Sequence, residues 1–354
     1  MKHFFLQNKV HTQKEILLID MSMQNKERVL VIGSNSFSGG DFVQLLLESG
    51  RFQVYGVSRS PEKGACFLEY RTNEESSVAY QQINLNQQMD DLMRIVDDFR
   101  PDYLVNFAAQ GEVGSSWVWP THWFQTNAVA ITELAQRLKE KKFIRRYLHV
   151  STPEVYGTCR GVVREDAPLN PSTPYAASKA AGDLSLMTFF KSFAFPVVFV
   201  RATNVYGPRQ QLYRIIPRTM ISILKGEKLP LHGGGKALKS YIHIRDVSRG
   251  ELMIMEKGRP GEVYHLSPSK AISIRDLVAQ ICENFQVNFE DLVEMTDERL
   301  GQDPSYVIDS TKARQEFSWE PQISFEEGLL DVQKWIETYW EEIRSLPVEY
   351  QHQI

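Results

Sequence analysis

Residues 28–49, RVLVIGSNSFSGGDFVQLLLES, carry four consecutive apolar positions after Arg28, pass through small polar residues, and resume apolar positions at helical spacing. A short unbroken apolar run followed by a 3.6-residue period predicts a strand buried on both faces, a tight turn and an amphipathic helix. The alternation recurs. FQVYGVS (52–58) and VAYQQI (78–83) predict strands, MDDLMRIVDDF (89–99) a helix, and PDYLVNFAA (101–109) another strand. A helix through NAVAITELAQRLKEK (127–141) leads to a strand at 145–151, a helix at 174–193 and a strand in PVVFVRA. This rhythm predicts an α/β protein with a Rossmann-type, doubly wound parallel sheet covered on both faces. Such sheets bind ligands beyond the carboxyl ends of their strands, where the strand order reverses. Gly33, Ser58, Ala108 and Ser151 all fall at strand ends.

After residue 204 the rhythm loosens into loop-rich stretches such as YGPRQQLYRIIPR, LHGGGKALKSY and RLGQDPS. The expected division is therefore a dinucleotide-binding domain over 27–203 and a smaller, mainly substrate-binding domain over 204–345. A helix is expected within it at 273–285. The stretch 241–257 belongs either to the second domain or back with the first. Residues 1–26, polar and broken in pattern, read as an N-terminal extension or an upstream start rather than a signal peptide.

Composition changes this picture little. The 354 residues are 42% hydrophobic and 24% charged, as in an ordinary globular protein. A formal net charge of -4 argues against nucleic acid as a partner. The basic cluster KEKKFIRR (139–146) reads as a solvated helix end. No apolar run approaches the ~20 residues needed to span a bilayer. Three widely separated cysteines fit reduced thiols and a cytoplasmic setting. No metal site is expected, because His232 and His243 lack a second ligand at suitable spacing.

The candidate chemistry starts at the first turn. Gly33 and Gly39 bracket it, with Ser36 where a middle glycine would stand; Asn35 and Phe37 complete it. Small residues there let the backbone approach a pyrophosphate that the following helix N-terminus stabilises. An NAD site usually carries an acid at the end of the second strand, whereas here the residues are Ser58 and Arg59. A guanidinium accepts a 2′-phosphate that a carboxylate would repel. The pair leans toward NADP and leaves NAD open. PYAASKAA then places Tyr175 and Lys179 four apart at a helix start, on one face. A free phenol has a pKa near ~10, and a neighbouring ammonium is expected to draw it down. Tyr175 would then take a proton from a sugar hydroxyl as hydride leaves the same carbon.

Together these parts resemble the extended short-chain dehydrogenase/reductase family over residues 28 to about 343. STPEVYG (151–157) resembles the STDEVYG and STSELYG of nucleotide-sugar 4,6-dehydratases. FAAQGEVGSSWVWPTHWFQTN, NVYGPRQ, LHGGGKALKSYIHIRDV and RLGQDPSYVIDSTKARQEFSWEP are similar to further segments of that family. The resemblance implies a 4-keto-6-deoxy sugar nucleotide as product and a tightly bound, recycled cofactor. It implies Tyr175, with Lys179 and Thr152, as the group that oxidises C4, and Glu154 as the base that removes the C5 proton. It extends the cofactor site to Asn84, Leu85, Ala108, Ala109, Asn127, Ser151 and Arg201. It puts Gln110, Thr152, Glu154, Asn204, Arg209, Arg218, Lys239, Arg299 and Asp303 against the substrate. It also implies a homodimer or higher homo-oligomer.

Some positions depart from the pattern. Pro153 replaces an aspartate that donates a proton in part of the family, so the leaving hydroxyl takes its proton from Glu154 or from water. Lys239 stands where arginine is usual. UDP-glucuronate decarboxylases and 4-epimerases share much of the pattern and are the nearest alternatives. A non-catalytic NADP(H)-binding sensor is the reading from another class.

Overall fold

A computed structural model describes residues 26–72, 78–158, 161–297 and 307–353. The expected N-terminal extension lies, but for Lys26, outside them, as do Arg299 and Asp303.

The first half alternates as its apolar pattern requires. In chain order it runs β1 (Glu27–Ile32), α1 (Phe37–Glu48), β2 (Phe52–Ser58), β3 (Ala79–Gln82), α2 (Met89–Phe99) and β4 (Tyr103–Asn106). α3 (Ala130–Leu138), β5 (Arg146–Val150), α4 (Pro174–Phe193) and β6 (Val197–Ala202) follow. With β7 (Val263–Leu266) these strands form a seven-stranded sheet in the order β7-β6-β5-β4-β1-β2-β3. Its pairings are parallel. In β1, Val29 and Val31 enter one core with Phe42, Leu46, Val247 and Ile254. Leu30 and Ile32 enter the other with Leu92, Val96, Ile131, Leu134 and Leu186. Alternate side chains point to opposite faces, so a strand covered by helices on both sides must be apolar throughout.

The order reverses between β1 and β4. Gly33, at the end of β1, has φ +86°, and a Cβ there would lie 2.7 Å from the Ala108 backbone nitrogen. Glycine thus lets the strand ends approach where the sheet opens. The strand predicted at 101–109 stops at Asn106, because residues 107–109 leave the sheet to line the opening. The helix predicted from 127 instead begins with one π-helical turn, Gln125–Val129, before α3.

Beyond β6 the chain divides. Asn204–Tyr206 pairs with Tyr241–His243. A separate core joins α5 (Ile215–Lys225), α7 (Ile274–Asn284) and α8 (Phe325–Thr338) through Met220, Leu277, Ile281, Leu329 and Trp335. Between them α6 (Ile244–Lys257) returns to pack on α1 and the large sheet. The Trp335 indole N–H donates to the Cys66 carbonyl (2.8 Å), tying the smaller core to the loop after β2. The seam between the two parts is the cleft.

Candidate active site

A continuous cleft of about 890 Å³ runs from the Gly33 turn, past the ends of β2, β4 and β5, to Lys239. It is lined by Gly33, Asn35, Ser36, Phe37, Ser58, Arg59, Asn84, Leu85, Ala108, Ala109, Gln110, Ser151, Thr152, Glu154, Tyr175, Asn204 and Lys239. All of these were singled out from the sequence.

The turn geometry fits a dinucleotide. The Ser36 hydroxyl accepts from the Gly39 N–H (3.0 Å) and caps α1. A Cβ on Gly39 would meet the Gly33 carbonyl oxygen at 2.2 Å, so only glycine lets the helix close against the turn. Gly39 therefore shapes the site from behind and does not line it. The helix N-terminus faces the cleft with the amide-rich end that favours phosphate. At the end of β2, Ser58 Oγ accepts from the Asn35 N–H (2.9 Å), fixing the turn. Arg59 and Lys63 line the same end of the cleft.

Asn127 is also one layer back. Its Oδ1 accepts from the Gln110 N–H (2.9 Å), and its Nδ2 donates to the Gln110 carbonyl (3.0 Å) and to Ser178 Oγ (2.9 Å). The π turn aims it inward, and it positions the loop after β4.

The wall that carries Thr152, Glu154 and Tyr175 is built by two helix starts. Thr173 Oγ accepts from the Ala176 N–H (3.1 Å) and Pro174 opens α4, which sets Tyr175 at the cleft and Lys179 one turn below it. Facing them, Thr152 Oγ accepts from the Glu154 N–H (3.3 Å) and caps the 3₁₀ turn Pro153–Tyr156. Pro153 occupies the first position of that turn. A fixed φ and a missing N–H suit that position, so the residue in the expected second-acid slot shapes the turn that carries Glu154.

The electrostatics correct one expectation. Lys179 is only 2% exposed, and its Nζ donates to the Val150 carbonyl (2.9 Å). Burial lowers its pKa to about 8, against the opposing pull of Asp183. Tyr175 is not drawn down. Burial pushes its phenol well above the usual value and the charge of Glu154 adds to this, while the Thr152 hydrogen bond and Arg214 oppose it. Removal from water outweighs the nearby positive charge.

Beneath Lys179, Asp183 accepts from Ser151 Oγ (2.6 Å) and from the Arg201 guanidinium (2.7 Å), with His149 Nε2 3.6 Å away. Arg201 also donates to the Tyr156 hydroxyl, which meets His265 Nε2 at 2.8 Å. Arg201 was expected at the cofactor. At 3% exposure and committed to Asp183 and Tyr156, it is instead a strut within the sheet.

Two other arginines also move from the substrate list. Arg209 pairs with Glu69 (3.3 Å) and Arg218 approaches Glu349 (3.8 Å); neither lines the cleft. In their place Arg214, the residue before α5, projects into it. Its charge is felt by Tyr213, Tyr175, Glu154 and Glu112. Glu112 lines the cleft and caps the short helix Val113–Ser116. The usable sequence signal for Arg214 was its place at a helix entrance: Arg218, four residues into α5, is carried away from the opening. His232 bonds to Thr296 Oγ1 (2.9 Å), and His243 accepts from the Arg245 N–H (3.3 Å).

The comparisons agree with this fold. A family model described as GDP-mannose 4,6 dehydratase matches residues 30–332. The dTDP-glucose 4,6-dehydratase of Streptomyces niveus is 31% identical over 327 residues, 90% of this chain and 96% of its own. A solved dTDP-glucose 4,6-dehydratase from Streptomyces venezuelae, with NAD bound, superposes with a TM-score of 0.83 at 28% identity, covering 90% of this chain and 100% of that one. A UDP-glucose 4-epimerase from Thermotoga maritima reaches 0.80 at 25% identity, covering 88% and 99%.

Proposed function

We propose that this chain, which belongs to the GDP-mannose 4,6-dehydratase family, converts a nucleotide-diphosphate hexose into its 4-keto-6-deoxy product by internal hydride transfer and loss of water. The observation that carries this reading is the placing of Thr152, Glu154 and Tyr175 together on the cleft wall above the buried Lys179.

A bound nicotinamide dinucleotide supplies reversible storage for one hydride. The remaining work belongs to side chains. Tyr175 takes the C4 hydroxyl proton; burial and the Glu154 charge hold its phenol in the protonated form, and the Thr152 hydrogen bond and the Arg214 charge offset them only in part, so the ionised form that the step needs is the minor one. The resulting C4 ketone acidifies the C5 hydrogen, because the carbanion spreads onto oxygen. Glu154 takes that proton and returns it to the departing C6 hydroxyl, which leaves as water with a C5–C6 double bond behind it; the hydride held from C4 would then return to C6, and a proton from water, relayed by Glu154, would complete C5. One carboxyl group can serve both transfers, since the proline at 153 offers no second acid; water is the other donor open to the leaving hydroxyl. Asn204, Lys239 and Arg214 are placed to hold the diphosphate and sugar.

Arg59 and Lys63 at the adenosine end favour NADP over NAD. Phe124, Val129 and Leu184, exposed around the π turn and α4, suit contact with a second copy of the chain. Cys66 and Cys282 are buried free thiols, and burial raises the Cys66 pKa to about 12, which fits a reducing cytoplasm.

The test is incubation with a panel of nucleotide-hexoses, following alkali-induced 4-keto absorbance and the mass loss of one water. Glu154→Gln is expected to reduce turnover by about 10²–10⁴-fold while reduction of the bound dinucleotide by the C4 hydride continues. Unchanged turnover removes the base assignment. Inversion at C4 without loss of water makes the protein an epimerase.

A further inference from the structure

We propose that residues 349–353 form a strap that closes over the dinucleotide and slows its release, an inference that rests on the reading of the cleft as a nicotinamide dinucleotide site. Terminal segments of a chain ordinarily fray unless something ties them down. This one leaves the smaller core after Val348 and crosses the mouth of the cleft.

It is fastened at both sides. On the substrate side, the Tyr350 ring packs edge-on against Tyr213, with centroids 5.3 Å apart. On the dinucleotide side, the Gln353 carbonyl accepts from Arg59 (3.0 Å) and from Gln110 Nε2 (2.7 Å). These are groups at the ends of β2 and β4, so the strap reaches from one half of the molecule to the other.

His352 is the fastening. Its imidazole lies parallel to the Trp119 indole at 4.4 Å and 6°, and to Trp123 at 5.1 Å and 9°. Its Nε2 meets His122 Nδ1 at 3.0 Å. His352 turns to this aromatic slot with the Tyr350 hydroxyl 3.4 Å from its Nδ1, while Tyr350, Gln351 and Gln353 line the cleft. About 890 Å³ remains beneath with the strap in place, so the segment walls the site without filling it. A ligand lying along the strand ends is released only after the slot opens, the usual logic of a closing element.

The experiment uses the full chain loaded with NADPH and mixed with excess NADP, reading the decay of nicotinamide fluorescence. His352→Ala and, as a second variant at a half-exposed position, Trp119→Ala are each expected to release the dinucleotide about tenfold faster, the scale of lost ring stacking. Their melting temperatures without dinucleotide should stay within a few degrees of the parent. Release unchanged in both variants, or slowed, overturns the strap while leaving the dinucleotide site standing. A parent chain that retains no nicotinamide dinucleotide overturns the cleft assignment and the strap with it.

Discussion

The two walls of the cleft are built from different materials. One consists of strand ends and helix starts of the large sheet, carrying Gly33, Ser151, Thr152, Glu154 and Tyr175, with Lys179, Asp183 and Arg201 locked behind them. The other is assembled from loops and a helix entrance, with Arg214, Lys239 and the strap. Regular elements fix side chains to within a narrow range, which is what proton transfer requires. Loops tolerate change without disturbing a core, and substrate choice can vary there. In the proposed reading the chemistry is anchored to the sheet, and recognition is hung from its rim.

The comparison is open to direct attack. Asp183→Asn should have the largest effect, because it leaves the nearly buried Arg201 charge without its carboxylate. A loss of about 3–5 kcal/mol in denaturant unfolding is expected, together with a further fall in the Lys179 pKa, which Asp183 now supports. An effect under about 1 kcal/mol, as for surface pairs, would show that the sheet wall is no stiffer than the loop wall.

On the other wall, Arg214→Ala should raise KM for the sugar nucleotide about 10–100-fold, the worth of a lost charge-assisted contact. Arg218→Ala should stay within about threefold, since its 3.8 Å approach to the exposed Glu349 contributes little. Equal effects from the two would dissolve the distinction drawn between an arginine in the cleft and one outside it.

The smallest expected effect lies at the cleft floor, which Glu251 helps to line. Glu251 is fully buried, and neither carboxylate oxygen has a hydrogen-bond partner among the described residues. Burial, reinforced by Asp41, raises its pKa well above the usual carboxylate range. The folded chain therefore keeps a proton that the unfolded chain releases near its ordinary value. The associated stability is fully present below that value and declines as pH rises toward the folded one. Glu251→Leu should gain about 1 kcal/mol over the parent at pH 8, with the gain shrinking toward pH 5. Parallel pH–stability curves for the two chains would contradict this.

Much of the sheet wall was legible in the sequence, because its signals are local. Helix α4 begins and ends where its pattern placed it, at Pro174 and Phe193. Tyr175 and Lys179 share a face by spacing alone. The arginines were less readable, since a cation in a sequence does not disclose its partner. Arg209 finds Glu69, and Arg201 finds Asp183 and Tyr156, only once distant segments meet. The Tyr175 phenol was misjudged for a related reason: its Lys179 neighbour was visible in sequence, but its removal from water was not. The strap left no local trace, because Gln353 contacts Arg59 across 294 positions and Gln110 across 243.

The wide turn at Gln125–Val129 bears on how this protein can drift over evolutionary time. A π turn accommodates one residue more than the α-helical ladder around it. Losing that residue would restore regular winding, yet would swing Asn127 about the axis by about 100°. Its simultaneous hold on Gln110 and Ser178 would go with it. Deletion of a single residue at this turn would therefore cost the site its Asn127 support, while the loops of the opposite wall carry no such constraint of winding.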